Sequence, residues 1–212
     1  MQPNTLALPP FLVAREANSG NEAIQDFFLR WTIECADKKY ASVDPTVHKY
    51  AKRIVYLLIH GQHNSKQHYE IPHEGNVDEL ANNSTFTVIK THRQWNRIDL
   101  VAEIQDDSGR LYVLNIENKF YDPLRKDQLK NGKDKIEKAY PNHMPIHLVI
   151  YVDSEKLFKN GSKSDALRQK IVDAGYKFPG IDFLQKLAGF WDKNLPQTGN
   201  DLFDEYWFRK YR

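Results

Sequence analysis

The chain has 212 residues, a formal net charge of +2 and a single cysteine. A content of 41% hydrophobic and 27% charged residues is typical of a globular domain of ordinary size. The nearly neutral net charge is compatible with a nucleic-acid partner but does not require one. One cysteine excludes a disulfide framework and a cysteine-based zinc site.

The sequence has no apolar run close to the roughly 18 residues of a membrane-spanning helix. Its first 16 residues, MQPNTLALPPFLVARE, have no basic segment ahead of the short apolar stretch, so they do not resemble a signal peptide. We therefore expect a cytoplasmic protein without a membrane partner.

Two helices are predicted after a lead-in over residues 1–18. The second spans Pro45–His60 and is followed by a polar, turn-rich excursion over residues 61–83. The first is predicted by five apolar residues at helical spacing, which form one stripe and include the cysteine as a core residue: Ile24, Phe27, Phe28, Trp31 and Cys35.

From Ser84 onward the hydrophobic period changes to two, which predicts three strands: STFTVIKTH, RIDLVAEI and RLYVLNIENK. A charged helix from Pro123 to about Tyr140 follows, and then a strand, IHLVIYVD, that reads as buried on both faces. Helical pieces are predicted over residues 165–174 and 182–195, and the aromatic-basic end YWFRKYR is expected to pack. This order predicts an α/β fold with a central mixed sheet flanked by helices.

The hairpin between the second and third strands places charged residues together. A three-residue turn, Asp107-Ser108-Gly109, puts Asp99 opposite Glu117. Because side chains alternate along a strand, Asp99, Glu117 and Lys119 should share one face. The opposite face should carry the core residues Ile98, Leu100, Ala102, Ile104, Tyr112, Leu114 and Ile116.

Two adjacent carboxylates repel unless a positive group lies between them. A hard cation such as Mg²⁺ suits an oxygen-only site of few protein ligands. Lys119 is not a ligand while protonated, but it can orient water or stabilise charge on a phosphate. The alternative is an ordinary exposed salt bridge with Lys119; the matching Asp99 and the flanking apolar strands favour the site.

These residues resemble the PD-(D/E)xK nuclease superfamily of restriction-endonuclease-like folds. The narrower resemblance is to a bacterial branch written R-x-D … E-N-K … Q-L, which this chain matches with Arg97-Ile98-Asp99, Ile116-Glu117-Asn118-Lys119 and Gln128-Leu129. The resemblance implies an α-β-β-β-α-β core over about residues 20–153. A C-terminal helical extension over about 154–212 would complete a single domain, residues 1–212.

The same resemblance implies a divalent-metal-dependent nuclease acting on DNA. Mg²⁺, with Mn²⁺ as a substitute, would be held by Asp99 and Glu117 with the backbone carbonyl of Asn118, and Lys119 would position the attacking water. It implies a homodimer as one option, because many relatives pair to cut both strands. A second hypothesis is a binding module of the same fold, with weak or no catalysis.

Two further site residues follow from the resemblance. Glu22, near the start of the first helix, matches a glutamate that can hold the metal. The segment Ser19-Gly20-Asn21-Glu22 also matches a capping box, in which Glu22 would cap the helix instead. Glu34 is the substitute candidate for the metal-site glutamate. Gln128 matches a glutamine that points back at the site, although Gly132 stands where the family usually has tyrosine.

Four histidines offer a different function, a zinc hydrolase. Their spacing is irregular and no HExxH motif is present, which favours solvated loop residues over a zinc site. They are His60, His63, His68 and His73.

Overall fold

The computed structural model describes residues 7–9, 21–64, 69–71, 75–119, 124–125, 127–152 and 162–208, without the side chains of residues 21–22 and 162–164. Seven α-helices and six strands lie in these ranges. The helices are α1 Asn21–Cys35, α2 Pro45–His60, α3 Val77–Asn82, α4 Gln128–Ala139, α5 Ser162–Asp173, α6 Ile181–Leu187 and α7 Asp201–Trp207. The strands are β1 Gln62–His63, β2 Tyr69–Glu70, β3 Phe86–Trp95, β4 Ile98–Asp106, β5 Leu111–Lys119 and β6 Met144–Tyr151.

A four-stranded mixed sheet forms the centre of the fold. Its order is β3-β4-β5-β6, with two antiparallel pairings followed by a parallel one. The parallel pair needs a crossover, and α4 supplies it. The predicted mixed α/β fold with helices around a central sheet is confirmed.

The predicted hairpin register is also found. Leu100 pairs with Ile116, and the backbone N–H of Asp106 donates to the carbonyl of Arg110 at 3.1 Å. The turn residue Gly109 has a φ of 83°, a conformation that glycine adopts without a steric penalty. The turn therefore fixes which residues face each other at the far end of the hairpin.

Both faces of the sheet are covered. α1 and α2 pack on the face that carries Leu100, Leu114 and Ile116, while Ile136 of α4 packs on the face that carries Val101 and Val113. This makes β5 buried along almost its whole length.

One residue departs from the predicted faces. Ile98 packs with Val101 and Ile136 instead of with Leu100. It is the first residue after the turn Asn96-Arg97, in which both φ angles are positive, and strict alternation begins only after it.

Helix α2 has the predicted bounds. Asp44 caps it by accepting a hydrogen bond from the backbone N–H of Val47 at 3.0 Å, and Pro45 occupies the first turn. At its end, the ring of Tyr69 packs so close to Gly61 that an added Cβ would lie 2.6 Å from the ring. Only glycine fits there.

Helix α1 buries more than its predicted stripe. Trp31 and Cys35 are in the core, as expected, but Ile24 is 52% exposed, which contradicts its assignment to the stripe. The sheet-facing side instead carries Leu29 and Ile33, both fully buried. The helix is therefore enclosed on two sides.

Other predicted elements are corrected in detail. The excursion over residues 61–83 contains β1, β2 and α3, and Tyr69 and Val77 within it are buried. The charged helix begins at Gln128, since Leu124 and Arg125 are not helical. The C-terminal region has a third helix, α7, beyond the two predicted pieces.

The C-terminal region packs against the sheet and α1. The backbone of Lys177 pairs with β6, through His147 and Val149, and so covers an edge of the sheet. Phe203 and Trp207 are fully buried in the cluster that contains Trp31. In the described part of the chain, no helix is both long and apolar enough to cross a membrane.

The proposal of a single domain, residues 1–212, predicts how two substitutions in the C-terminal region should affect stability. Phe203→Ala should lower the free energy of unfolding by about 3–5 kcal/mol because it leaves a cavity in the shared core. Leu202→Ala, on the 41% exposed neighbour, should change it by less than about 0.5 kcal/mol. Urea unfolding measures both. A loss of under about 1 kcal/mol for Phe203→Ala would contradict the shared core.

Candidate active site

The predicted carboxylate pair forms where the β4–β5 ladder ends. Beyond the last backbone pair, Leu100 and Ile116, the side chain of Asp99 accepts a hydrogen bond from the backbone N–H of Asn118 at 2.9 Å. The Asp99 carboxyl lies close enough to Glu117 for its negative charge to raise the pKa of Glu117. The strands thus hold two acidic groups together at one end of the sheet.

The Glu117 carboxyl is buried and receives two donors. The ammonium Nζ of Lys119 lies 2.7 Å from its Oε1, and the side-chain amide of Gln128 donates to the same oxygen. Burial, and then the negative charge of Asp99, raise the pKa of Glu117 to about 8, while Lys119 opposes the shift. The environment therefore resists a second negative charge beside Asp99.

A third acidic residue, Asp26 of α1, adjoins this pair. The residue is 1% exposed, and its side chain accepts hydrogen bonds from the side-chain amides of Asn118 and Gln94, the latter at 3.4 Å. Gln94 also donates to Asp99 at 3.1 Å, which links the two carboxyls. Burial, and then the charge of Asp99, raise the pKa of Asp26 to about 7.

Sequence reasoning missed Asp26 and Gln94. Asp26 stands one helical turn after Glu22, and residues four apart share a helix face. Together with the buried Leu29 and Ile33, that spacing marks the sheet-facing side of α1 and would have suggested Asp26. Gln94 has no comparable sequence pattern, because its position depends on an irregular backbone with a φ of 53°.

The structure brings together four of the predicted residues, Asp99, Glu117, Lys119 and Gln128. The side chain of Asn118 is engaged by α1, where Gln25 also donates to it at 3.3 Å, which leaves its backbone for the predicted role. The backbone of Glu22 lies in α1, and its side chain falls outside the described residues, as does its capping partner Ser19.

Glu34 is not near the cluster. It accepts a hydrogen bond from Thr91 and lies 3.8 Å from Arg30. Eight residues separate it from Asp26, which corresponds to about 12 Å along a helix. The structure therefore does not support Glu34 as a substitute for Glu22.

The histidines do not all behave as solvated loop residues. His63 packs on the ring of Phe178 at a centroid distance of 3.9 Å, and burial lowers its pKa to about 4. His60 stacks against Tyr56 at 4.4 Å. His68 and His73 lie outside the described residues.

The donor set at the sheet end fits a divalent cation of the Mg²⁺ type. Among the residues that the structure describes, no group of three or more His, Cys, Asp or Glu side chains is arranged to hold a metal ion. Asp99 and Glu117 nevertheless form a pair of oxygen donors, and Mg²⁺ is commonly held by one or two carboxylates with water. The crowding of negative charge favours a cation there.

The sequence matches a family model described as the PD-(D/E)XK nuclease superfamily over residues 11–194. The chain belongs to this superfamily. Because the superfamily consists largely of metal-dependent nucleases, nuclease is the function that membership indicates. The narrower R-x-D … E-N-K … Q-L branch stays a prediction. Searches of curated proteins and of solved structures found no significant match.

The raised pKa values in this cluster make stability depend on pH. In the folded protein the pKa values of Glu117 and Asp26 lie above their ordinary values of 4.5 and 3.8. Both groups therefore bind protons more tightly in the folded state than in the unfolded chain. Their contribution to the free energy of unfolding is fully present below the ordinary pKa values and is lost as the pH rises through about 7 and 8. His63 and His147, with lowered pKa values, act in the opposite direction only below about pH 6.5.

The metal-free protein should therefore become less stable between about pH 6.5 and pH 8. Asp26→Asn should reduce the slope of the free energy of unfolding against pH, because one of the two titrating groups is gone. Urea unfolding in EDTA at several pH values measures the slope. Asp107→Asn, at an exposed turn position, should leave the slope unchanged, and an unaltered slope in Asp26→Asn would contradict the assignment.

Proposed function

We propose that this protein is a divalent-metal-dependent nuclease that hydrolyses phosphodiester bonds in DNA, with Mg²⁺ as its cofactor and Mn²⁺ as a substitute. The observation that carries the proposal is that Glu117 contacts Lys119 and Gln128 at the end of the sheet where Asp99 also lies. An ordinary exposed salt bridge has neither a second carboxyl nor a buried setting, and the side chains of Lys119 and Glu117 are 7% and 6% exposed.

In this proposal Asp99 and Glu117 hold the cation, with the backbone carbonyl of Asn118. When bound, the cation supplies positive charge that stabilises the negative charge developing on the scissile phosphate. Asp99 is held in position by the Asn118 backbone N–H and by Gln94, so its carboxylate is fixed before any ligand arrives. Glu22 remains a proposed further ligand.

Lys119 and Gln128 have different proposed roles. The Lys119 ammonium, 2.7 Å from Glu117, orients the attacking water and stabilises charge on the phosphate. Gln128 binds the Oε1 atom of Glu117 from α4 and is a positioning residue. Asp26 accepts a hydrogen bond from the Asn118 side chain. Its proposed role is to fix the position of β5 relative to α1.

The activity prediction concerns Asp99 and Lys119. With Mg²⁺ or Mn²⁺ the protein should cleave DNA. Asp99→Asn or Lys119→Ala should each lower the rate at least about 100-fold, because the first weakens the hold on the cation and the second removes a group that stabilises developing charge. A panel of single-stranded, duplex, nicked and branched DNA, with RNA for comparison, measures this. Glu103→Gln, on the same strand as Asp99, is the matched control and should retain activity.

Two results would contradict the nuclease proposal. Equal cleavage in EDTA would exclude a metal requirement, and equal cleavage by the two variants would exclude their roles. DNA binding by the wild type without metal uptake or turnover, measured by calorimetric titration, would instead favour a binding module of the same fold.

A second prediction tests the shared metal site through stability. Saturating Mn²⁺ should raise the melting temperature of the wild type by about 5 °C or more, because the folded state alone binds the ion. Asp99→Asn should lose most of that shift. In EDTA it should melt at least as high as the wild type, since one of the repelling charges is gone.

Melting curves of both proteins in EDTA and in millimolar Mn²⁺ give the four values needed. A surface salt bridge would produce the reverse pattern, with no response to Mn²⁺ and a lower melting temperature for Asp99→Asn in EDTA. That pattern would rule out the shared site.

A further inference from the structure

A cleft opens beside the carboxylate cluster, between the β3–β4 turn and α4. Its lining includes Glu117 and Gln128 of the cluster together with the cations Arg97, Arg125 and Lys135. Three cations therefore face one carboxyl group. The cleft adjoins the cluster, because Glu117 and Gln128 belong to both and are in direct contact.

Two of the three cationic side chains have no described hydrogen-bond or ion-pair partner. Arg97 and Arg125 are both exposed, and within the described ranges neither guanidinium has a hydrogen-bond or ion-pair partner. Lys135 is different, because its ammonium donates to the backbone carbonyl of Asn96 at 2.7 Å. It ties α4 to the turn that carries Arg97.

Arg97 occupies an unfavourable backbone conformation. The central residues of the β3–β4 turn, Asn96 and Arg97, have φ angles of 51° and 71°, as in the tight hairpin turns that favour Asn followed by Gly. Glycine would suit the second position better than arginine does. Strain of this kind is often found at functional sites.

The strain is concentrated around the cleft and the cluster. In the described part of the chain, non-glycine residues with positive φ occur at four positions, which are Gln94, Asn96, Arg97 and Asp127. Gln94 bridges Asp26 and Asp99, and Asp127 immediately precedes Gln128. Each of the four therefore belongs to the cluster, to the turn or to the start of α4.

We propose that this cleft binds the phosphodiester backbone of DNA next to the bond that is cut, with Arg97 and Arg125 as the phosphate contacts. A guanidinium offers paired N–H donors that match phosphate oxygens. Lys135 holds the turn so that Arg97 faces the cleft. The inference rests on the proposed nuclease function and assigns the substrate-binding side of the site.

The test exploits the strain at Arg97. Arg97→Gly removes a phosphate contact but improves the turn, so DNA affinity and stability should change in opposite directions. We expect the dissociation constant for DNA to rise about tenfold. The slope of log affinity against log salt should become shallower by about 1, while the melting temperature stays equal or rises.

Binding is measured in EDTA by fluorescence anisotropy, with labelled single-stranded and duplex DNA at several salt concentrations, so that cleavage does not interfere. Arg125→Ala should weaken binding similarly. Asn96→Gly relaxes the same turn without removing a cation and should leave affinity unchanged. Lys138→Ala removes an exposed cation of α4 that does not line the cleft, and it should also bind normally.

Three results would overturn the inference. If the wild type cleaves DNA but Arg97→Gly and Arg125→Ala bind DNA with dissociation constants within about twofold of the wild type, the cleft is not the binding site. The nuclease function would be unaffected by that result. A fall in melting temperature that accompanies weaker binding by Arg97→Gly would show a structural role. A wild type that neither binds nor cleaves DNA would remove the inference together with the nuclease function.

Discussion

The buried carboxyl of Glu117 is the constraint on which the arrangement of the site depends. A carboxylate placed among apolar strands and beside Asp99 requires donors and positive charge close by. Lys119 provides the charge from the same strand, and Gln128 provides an amide from α4. These contacts explain how β5, an apolar strand enclosed on both faces, can end in three polar residues.

Local rules were sufficient to predict the pairing of Asp99 with Glu117. The turn length fixed the register, and the alternation of side chains fixed the face, so no distant part of the chain was needed. The bounds of α2 followed from the helical spacing of its apolar residues, and the structure adds an aspartate cap, a proline in the first turn and a glycine at the end. In each case the deciding residues lie within one short stretch of the sequence.

Contacts between distant segments were not predictable in this way. An apolar stripe was expected on α1, but that helix is enclosed on two sides, and one of them buries Asp26 against Asn118, 92 residues away. His63 was expected in solvent, yet it lies on Phe178, which belongs to the C-terminal region. Ile98, the first residue after a turn with two positive φ angles, lies on the opposite face from Leu100. Propensity and period do not describe such effects, since tertiary packing determines them.

The contact between α7 and α1 has a consequence for how the protein is made. The indole N–H of Trp207 donates to the hydroxyl of Thr32 at 2.8 Å, across 175 positions of sequence, and Tyr206 stacks on Phe28. A chain emerging from the ribosome therefore lacks part of the support of α1 until residues 203–207 have been synthesised. Because α1 carries Asp26, this contact couples the folding of the carboxylate cluster to the folding of the C-terminal region.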